Sequence, residues 1–221
     1  MQGQNKKLLA IYDGLFDHYG PQDWWPAQTH LEMIVGAILV QAVSWRNVEK
    51  ALANLKYEKV LNFEALSSLP TQQLELLIRP SGFYQEKTKK LKAFLEHLGG
   101  NYSGSLDSFL RQDLSQLREE LLSIYGVGPE TADSIILYAA GRPIFVIDTY
   151  THRLFTRMGL IDGGYNYRKI QLFFMDNLPL EAPLYSEYHA LIVRHSATTC
   201  RKNPLCASCV IVKMCQMGRS V

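Results

Sequence analysis

The sequence predicts an all-α protein. Apolar residues recur at three- and four-residue spacing almost throughout, and short polar or Gly/Pro punctuation separates the periodic stretches. Only Ile144-Phe-Val-Ile147, between Gly141-Arg-Pro143 and Asp148, has the character of a strand. One such run has no partner with which to build a sheet.

The first element is a stripe of Leu8, Ile11, Tyr12, Leu15, Phe16 and Tyr19, stopped by Gly20-Pro21. Thr29-His-Leu-Glu32 is a capping-box pattern, in which hydroxyl and carboxylate satisfy each other's free backbone N–H groups, so a helix should open there and run through Met33 to Val40. Helical spacing continues at about Asn47 to Leu55, Gln72 to Ile78, Lys87 to His97, Leu114 to Ile124 and Glu130 to Ala140. It resumes at Thr149 to Met158, Arg168 to Leu178 and Ser186 to Ser196. Nothing marks an internal repeat, a low-complexity segment or a linker. The lysines at 87, 89, 90 and 92 read as a solvated helix face, with some in reach of nucleic-acid phosphates.

With 221 residues, 47% hydrophobic and 11% aromatic, the chain can bury a substantial core. No segment approaches the roughly 20 apolar residues of a membrane span, and Met1 to Lys7 lacks the apolar core of a signal peptide. The expected address is the cytoplasm, with no membrane partner. A net charge of +2 permits nucleic-acid binding without marking it. The four cysteines are more informative, because all lie near the C-terminus as Cys200-x5-Cys206-x2-Cys209-x5-Cys215. Clustered thiols in a cytosolic chain indicate a metal or iron–sulfur site rather than a disulfide framework. Four thiolates at these spacings can wrap a [4Fe–4S] cluster or a tetrahedral zinc ion.

A second motif lies between two helical patterns, in Ile124-Tyr-Gly-Val-Gly-Pro-Glu-Thr-Ala132. Two glycines bracketing Val127 allow a tight hairpin whose N–H groups, with the start of the next helix, point at one spot. Such a spot holds a phosphate oxygen without reading sequence. Asp148, after the strand-like run and before Thr-Tyr-Thr-His-Arg153, is a good helix N-cap.

Gly126-Val-Gly128-Pro-Glu-Thr131-Ala132, Val146-Ile-Asp148 with Arg153, the cysteine block and Gln41 in Ile38-Leu-Val-Gln41 together resemble the helix-hairpin-helix (HhH-GPD) DNA glycosylases, in their endonuclease III-like branch. The resemblance implies two all-α lobes: a six-helix barrel with the helix-hairpin-helix over 28–138, and a lobe of 1–27 and 139–221 that carries the cysteines. A DNA-binding groove is expected between them, and a monomer acting on double-stranded DNA that contains a damaged base. It further implies that Asp148 is the catalytic carboxylate, stabilising the oxocarbenium-like sugar and activating water. Gly126, Val127, Gly128 and Thr131 would bind the DNA backbone, Gln41 would fill the gap left by the flipped nucleotide, and Phe83 would press on the opposite strand.

Two departures from that branch refine the expectation. Glu130 stands where bifunctional members carry the lysine that forms a Schiff base, and a carboxylate cannot do this. The product should be an abasic site, formed by water alone. The first cysteine spacing is also one residue shorter than the branch's pattern for an iron–sulfur cluster. Trp24-Trp25-Pro26, Trp45 and Arg79-Pro-Ser-Gly-Phe-Tyr84 resemble the 3-methyladenine DNA glycosylase III group, whose prototypes lack the cluster. Stacked indoles suit a cationic alkylated purine, so the substrate pocket is expected to comprise Trp24, Trp25, Pro26, Trp45 and Glu130. The alternatives are an endonuclease III-like glycosylase for oxidised pyrimidines with weak AP-lyase activity, and a non-catalytic cluster-bearing protein that binds damaged DNA.

Overall fold

The computed structural model describes residues 2–220, which form two compact units: Trp25–Gly141, and the C-terminal segment from Arg142 joined by the N-terminal segment up to Trp24. No β-strand forms among the described residues, and none of their helices is long and apolar enough to cross a membrane.

In the Trp25–Gly141 unit the organising element is α2 (His30–Leu39), in which every residue from Leu31 to Leu39 is buried. A helix apolar on all sides has no face for solvent, so α2 becomes the axis of the unit. Thr29 caps it by accepting from the Glu32 N–H at 3.1 Å. The reciprocal half of the capping box does not form as expected. Glu32 reaches the Gln28 N–H at 3.1 Å, one residue earlier, because Lys56 draws its other oxygen to 2.6 Å.

The unit further holds α3 (Trp45–Tyr57), α4 (Phe63–Ser68), α5 (Thr71–Ile78), α6 (Tyr84–Tyr102), α7 (Leu106–Leu110), α8 (Leu114–Ser123) and α9 (Pro129–Ser134), of which α3, α6 and α9 pack on α2. The sequence periodicity missed α4 and α7, since one or two turns are too short to show a period. Their caps were legible all the same: Asn62 accepts from Ala65 N–H, and Ser105 from Ser108 N–H. The stretch expected as one helix from Glu130 to Ala140 changes pitch after Ser134 into a π-helical turn, Ile135–Ala139, that packs on α2.

In the other unit, α1 (Gln2–Tyr19) lays Leu8, Ile11 and Leu15 against α12 (Ala182–Thr198), and Tyr188 Oη donates to Leu8 O at 2.8 Å. The run Ile144–Ile147 is extended and wholly buried, but it is not a strand. Buried backbone groups need partners, and here side chains supply them. Gln171 Nε2 donates to Phe145 O at 2.9 Å, and Tyr167 Oη accepts from Ile147 N–H at 3.4 Å. Phe145 stacks on Phe174 of α11 (Tyr167–Met175) with centroids 4.1 Å apart, and Tyr185 and Tyr188 meet it edge-on. This apolar seat fixes the point at which α10 (Thr149–Arg157) begins.

Candidate active site and nucleic-acid interface

The buried run delivers Asp148 to the N-cap of α10, where its Oδ1 accepts from Thr151 N–H at 2.7 Å. Oδ2 lies 3.7 Å from Nε2 of His189 on α12, a partner the sequence patterns did not single out. About 10% of the Asp148 side chain remains exposed. Burial alone would raise its pKa, but the nearby His189 imidazole, with the Thr151 N–H bond, outweighs it and holds the carboxyl below its ordinary value. The result is a carboxylate kept ionised in a largely apolar setting, where fixed charge acts strongly on a developing cation.

Between α8 and α9 the turn Gly126-Val127-Gly128 forms the expected hairpin. Gly126 has φ +78°, the left-handed region that favours glycine, and an added Cβ would collide with the Lys90 stem. Val127 is buried and anchors the turn. Gly128 differs from both, being exposed, with φ −91° and open space where a Cβ would sit. Neither packing nor backbone requires glycine there. Arg118 clamps the two helices by donating to Asp133 at 2.7 and 3.3 Å.

Gln41 lies in the turn after α2 and reaches this hairpin. Its Nε2 donates to Gly126 O at 3.1 Å and Thr131 Oγ1 at 2.9 Å, and its Oε1 accepts from Lys90 Nζ at 2.5 Å. Phe83 is 72% exposed on a left-handed residue, φ 45°. The backbone beneath it is tied down, because Ser81 Oγ donates to Ile78 O and Lys87 Nζ to Ser81 O. Lys87 is buried, and burial, with the nearby Lys90 charge, pulls its pKa down to about 8. The lysine row is therefore not a uniformly solvated face. Lys87, Lys90 and Lys92 all engage protein groups, and only Lys89, paired with Glu86, lies fully on the surface. The reason is that the fold brings a carbonyl or amide acceptor within reach of each long stem.

Of the expected pocket residues, Trp25 and Trp45 come together, edge to face at 5.0 Å, with Tyr138 tilted against Trp25 at 5.4 Å. Gly36 of α2 admits them, since a Cβ there would meet Trp25 Nε1 at 3.3 Å and Trp45 Cη2 at 3.4 Å. Pro26 is exposed beside them in sequence. Glu130 is exposed on the first turn of α9, a position favourable to an acid. Trp24 belongs to the other unit, where its carbonyl accepts from Ser186 Oγ at 3.2 Å.

All four cysteines are free of disulfides and line one cavity with Leu154, His195 and Ile211. Burial raises the Cys209 thiol pKa, and the charges of Cys200, Cys215 and Cys206 add to it, as expected for thiols turned toward a common space. Among the described residues, no three His, Cys, Asp or Glu side chains are already gathered into a metal-holding group. The donor set and the shared cavity fit a thiolate-ligated centre in chemistry, though the thiols are not drawn into ligand geometry. Two arginines of α10 secure the start of this segment: Arg153 donates to Ser196 O and Cys200 O, and Arg157 to Arg201 O and Lys202 O.

Residues 35–179, which hold the hairpin and Asp148, match the family described as HhH-GPD superfamily base excision DNA repair protein. The chain belongs to this superfamily. A candidate DNA repair glycosylase of Methanocaldococcus jannaschii is 48% identical to this HhH-GPD protein over 210 residues, which is 94% of the chain and 95% of the relative. Among solved structures, H. pylori 3-methyladenine DNA glycosylase bound to 1,N6-ethenoadenine aligns with a TM-score of 0.76 at 27% identity, covering 87% of this chain and 96% of that one. A non-covalent endonuclease III–DNA complex aligns with a TM-score of 0.85 at 22% identity, covering 98% and 97%, and so shares the fold.

Proposed function

We propose that this base excision repair glycosylase is monofunctional and removes an alkylated, 3-methyladenine-like base by hydrolysis. The observation that carries the substrate class is the Trp25, Trp45 and Tyr138 cluster against α2, aromatic surface of the kind that attracts a cationic purine. Likeness to the H. pylori enzyme supports the same reading. Such a base leaves C1′ neutral, taking the electron pair of the glycosidic bond, and needs little acid assistance. Asp148 supplies negative charge for the sugar cation and orients the water that attacks C1′. Glu130, standing in place of an amine, forms no Schiff base, so the reaction ends at an abasic site. Gly126 to Gly128 and Thr131 hold a DNA phosphate, and Gln41 and Phe83 support the opened duplex.

Cys200, Cys206, Cys209 and Cys215 are proposed to hold a [4Fe–4S] cluster whose part is structural, fastening the C-terminal segment. Protein purified without added metal should absorb near ~400 nm, and each Cys→Ser variant should lose that band and its iron; colourless protein with stoichiometric zinc overturns the assignment.

The activity is tested with duplexes carrying a panel of lesions, scored for free base. Release of 3-methyladenine without borohydride-trappable adduct is expected. Cleavage at thymine glycol with a trapped adduct would instead make it an endonuclease III-like enzyme.

A further inference from the structure

Lys90 has no part in the expectations drawn from motifs, yet it touches both features proposed to meet DNA. Its stem passes over Gly126, where an added Cβ would collide with Cγ, Cδ and Cε. Its ammonium meets the Gln41 side-chain oxygen at 2.5 Å. Gln41 in turn holds Gly126 O and Thr131 Oγ1.

The orientation of that amide is unambiguous. An ammonium only donates and a backbone carbonyl only accepts, so Oε1 must face Lys90 and Nε2 must face Gly126. Gly126 O sets this orientation from the hairpin side, and the Lys90 ammonium adds a charged constraint on Oε1 from the other side. The turn that bears Gln41 also contains Ala42 at φ 56°, a left-handed conformation alanine rarely adopts. Such a residue persists where surrounding contacts over-determine it, and the bonds of the adjacent Gln41 are such contacts.

We propose that Lys90 is a positioning residue for lesion engagement: it orients the Gln41 amide and, through it, holds the Gly126–Gly128 hairpin in the shape that receives the DNA backbone. This rests on the glycosylase reading given above. Lys90 would thus act without contacting phosphate, which sets it apart from an ordinary basic DNA contact.

The test is a double-mutant cycle on the full chain with Lys90→Met, which keeps the stem over Gly126, and Gln41→Leu. Binding is measured across a salt series to a duplex bearing a tetrahydrofuran abasic analogue opposite 2-aminopurine, whose fluorescence reports unstacking. Each single change should weaken binding about 5- to 10-fold and reduce the fluorescence rise, and the double variant should be no worse than the worse single. The salt slope should be that of wild type in Lys90→Met, and Lys90→Arg, which retains a donor, should recover much of the affinity. Effects that multiply in the double variant, or a slope reduced by about one, would make Lys90 an independent phosphate contact and overturn the inference. If Lys90→Met does not fold, Lys90→Arg decides: its fluorescence rise must match wild type. Wild-type protein that binds abasic and intact duplex equally overturns the functional reading together with this one. Discrimination by wild type with an additive cycle overturns only the role of Lys90.

Discussion

Replacing Asp148 by asparagine separates its two roles, capping α10 and presenting charge. The cap is a bond from Thr151 N–H to Oδ1 at 2.7 Å, which an amide oxygen accepts equally well. Asparagine and aspartate are about equal as N-caps, so the cap itself should lose no more than a few tenths of a kcal/mol. Asp148→Ala removes the cap and should cost about 1 kcal/mol, a fall in Tm of roughly 2 to 4 °C for a chain of this size. The charge is another matter. With its side chain only 10% exposed, the carboxylate acts through an effective dielectric nearer ~20 than that of water. At about 4 Å from a unit of positive charge this corresponds to about 4 kcal/mol, or roughly a 10³-fold change in rate. Single-turnover release of 3-methyladenine by Asp148→Asn should therefore fall about 10³-fold while its Tm stays above that of the alanine variant. If Asp148→Asn keeps activity within about tenfold of wild type, or loses as much Tm as the alanine variant, the assignment is refuted. A pH series adds a second readout. Because the folded pKa lies below its ordinary value, Asp148 contributes stability that is present above the ordinary carboxyl range and lost as pH falls through the folded value. That acid-dependent component should be missing from Asp148→Asn.

His189→Ala removes the imidazole that opposes burial, so the carboxyl pKa should rise and the acid limb of the pH–rate profile should move to higher pH; an unmoved limb contradicts the pairing. Gly126→Ala should destabilise the fold by about 1 to 2 kcal/mol in a urea melt, from its positive φ and the Lys90 stem, whereas Gly128→Ala should leave stability within about 0.5 kcal/mol and weaken DNA binding. Equal stability losses at both glycines would argue against an external partner at Gly128. Lys87, with a folded pKa of about 8 against 10.5, binds fewer protons folded than unfolded between those values, so stability should rise with pH across that window. Comparison with Lys87→Met by chemical denaturation at pH 8 and 10.5 isolates the contribution, and parallel curves for the two proteins would exclude it.

What was legible in the sequence was whatever depends on residues near one another along the chain. The periodicity of α1, α3 and α6, the Thr29 cap, the glycine requirement of the hairpin and the clustering of the cysteines are such features, as is the family resemblance carried by the motifs. Asp148 was legible twice over, as an N-cap and as a motif residue. The partners of these groups were not. His189 lies on α12, a helix that the sequence separates widely from Asp148, and a lone histidine among apolar residues carries no local signal. The same holds for Tyr138 beside Trp25 and for the arginines that grip the cysteine segment. Tertiary structure alone decided that Ile144 to Ile147 would be extended without a sheet, because Gln171 and Tyr167 could satisfy its backbone from a neighbouring helix. It also took Lys87 and Lys90 off an apparently solvated row, since a long side chain finds its acceptor by distance in space, to which helical periodicity is blind.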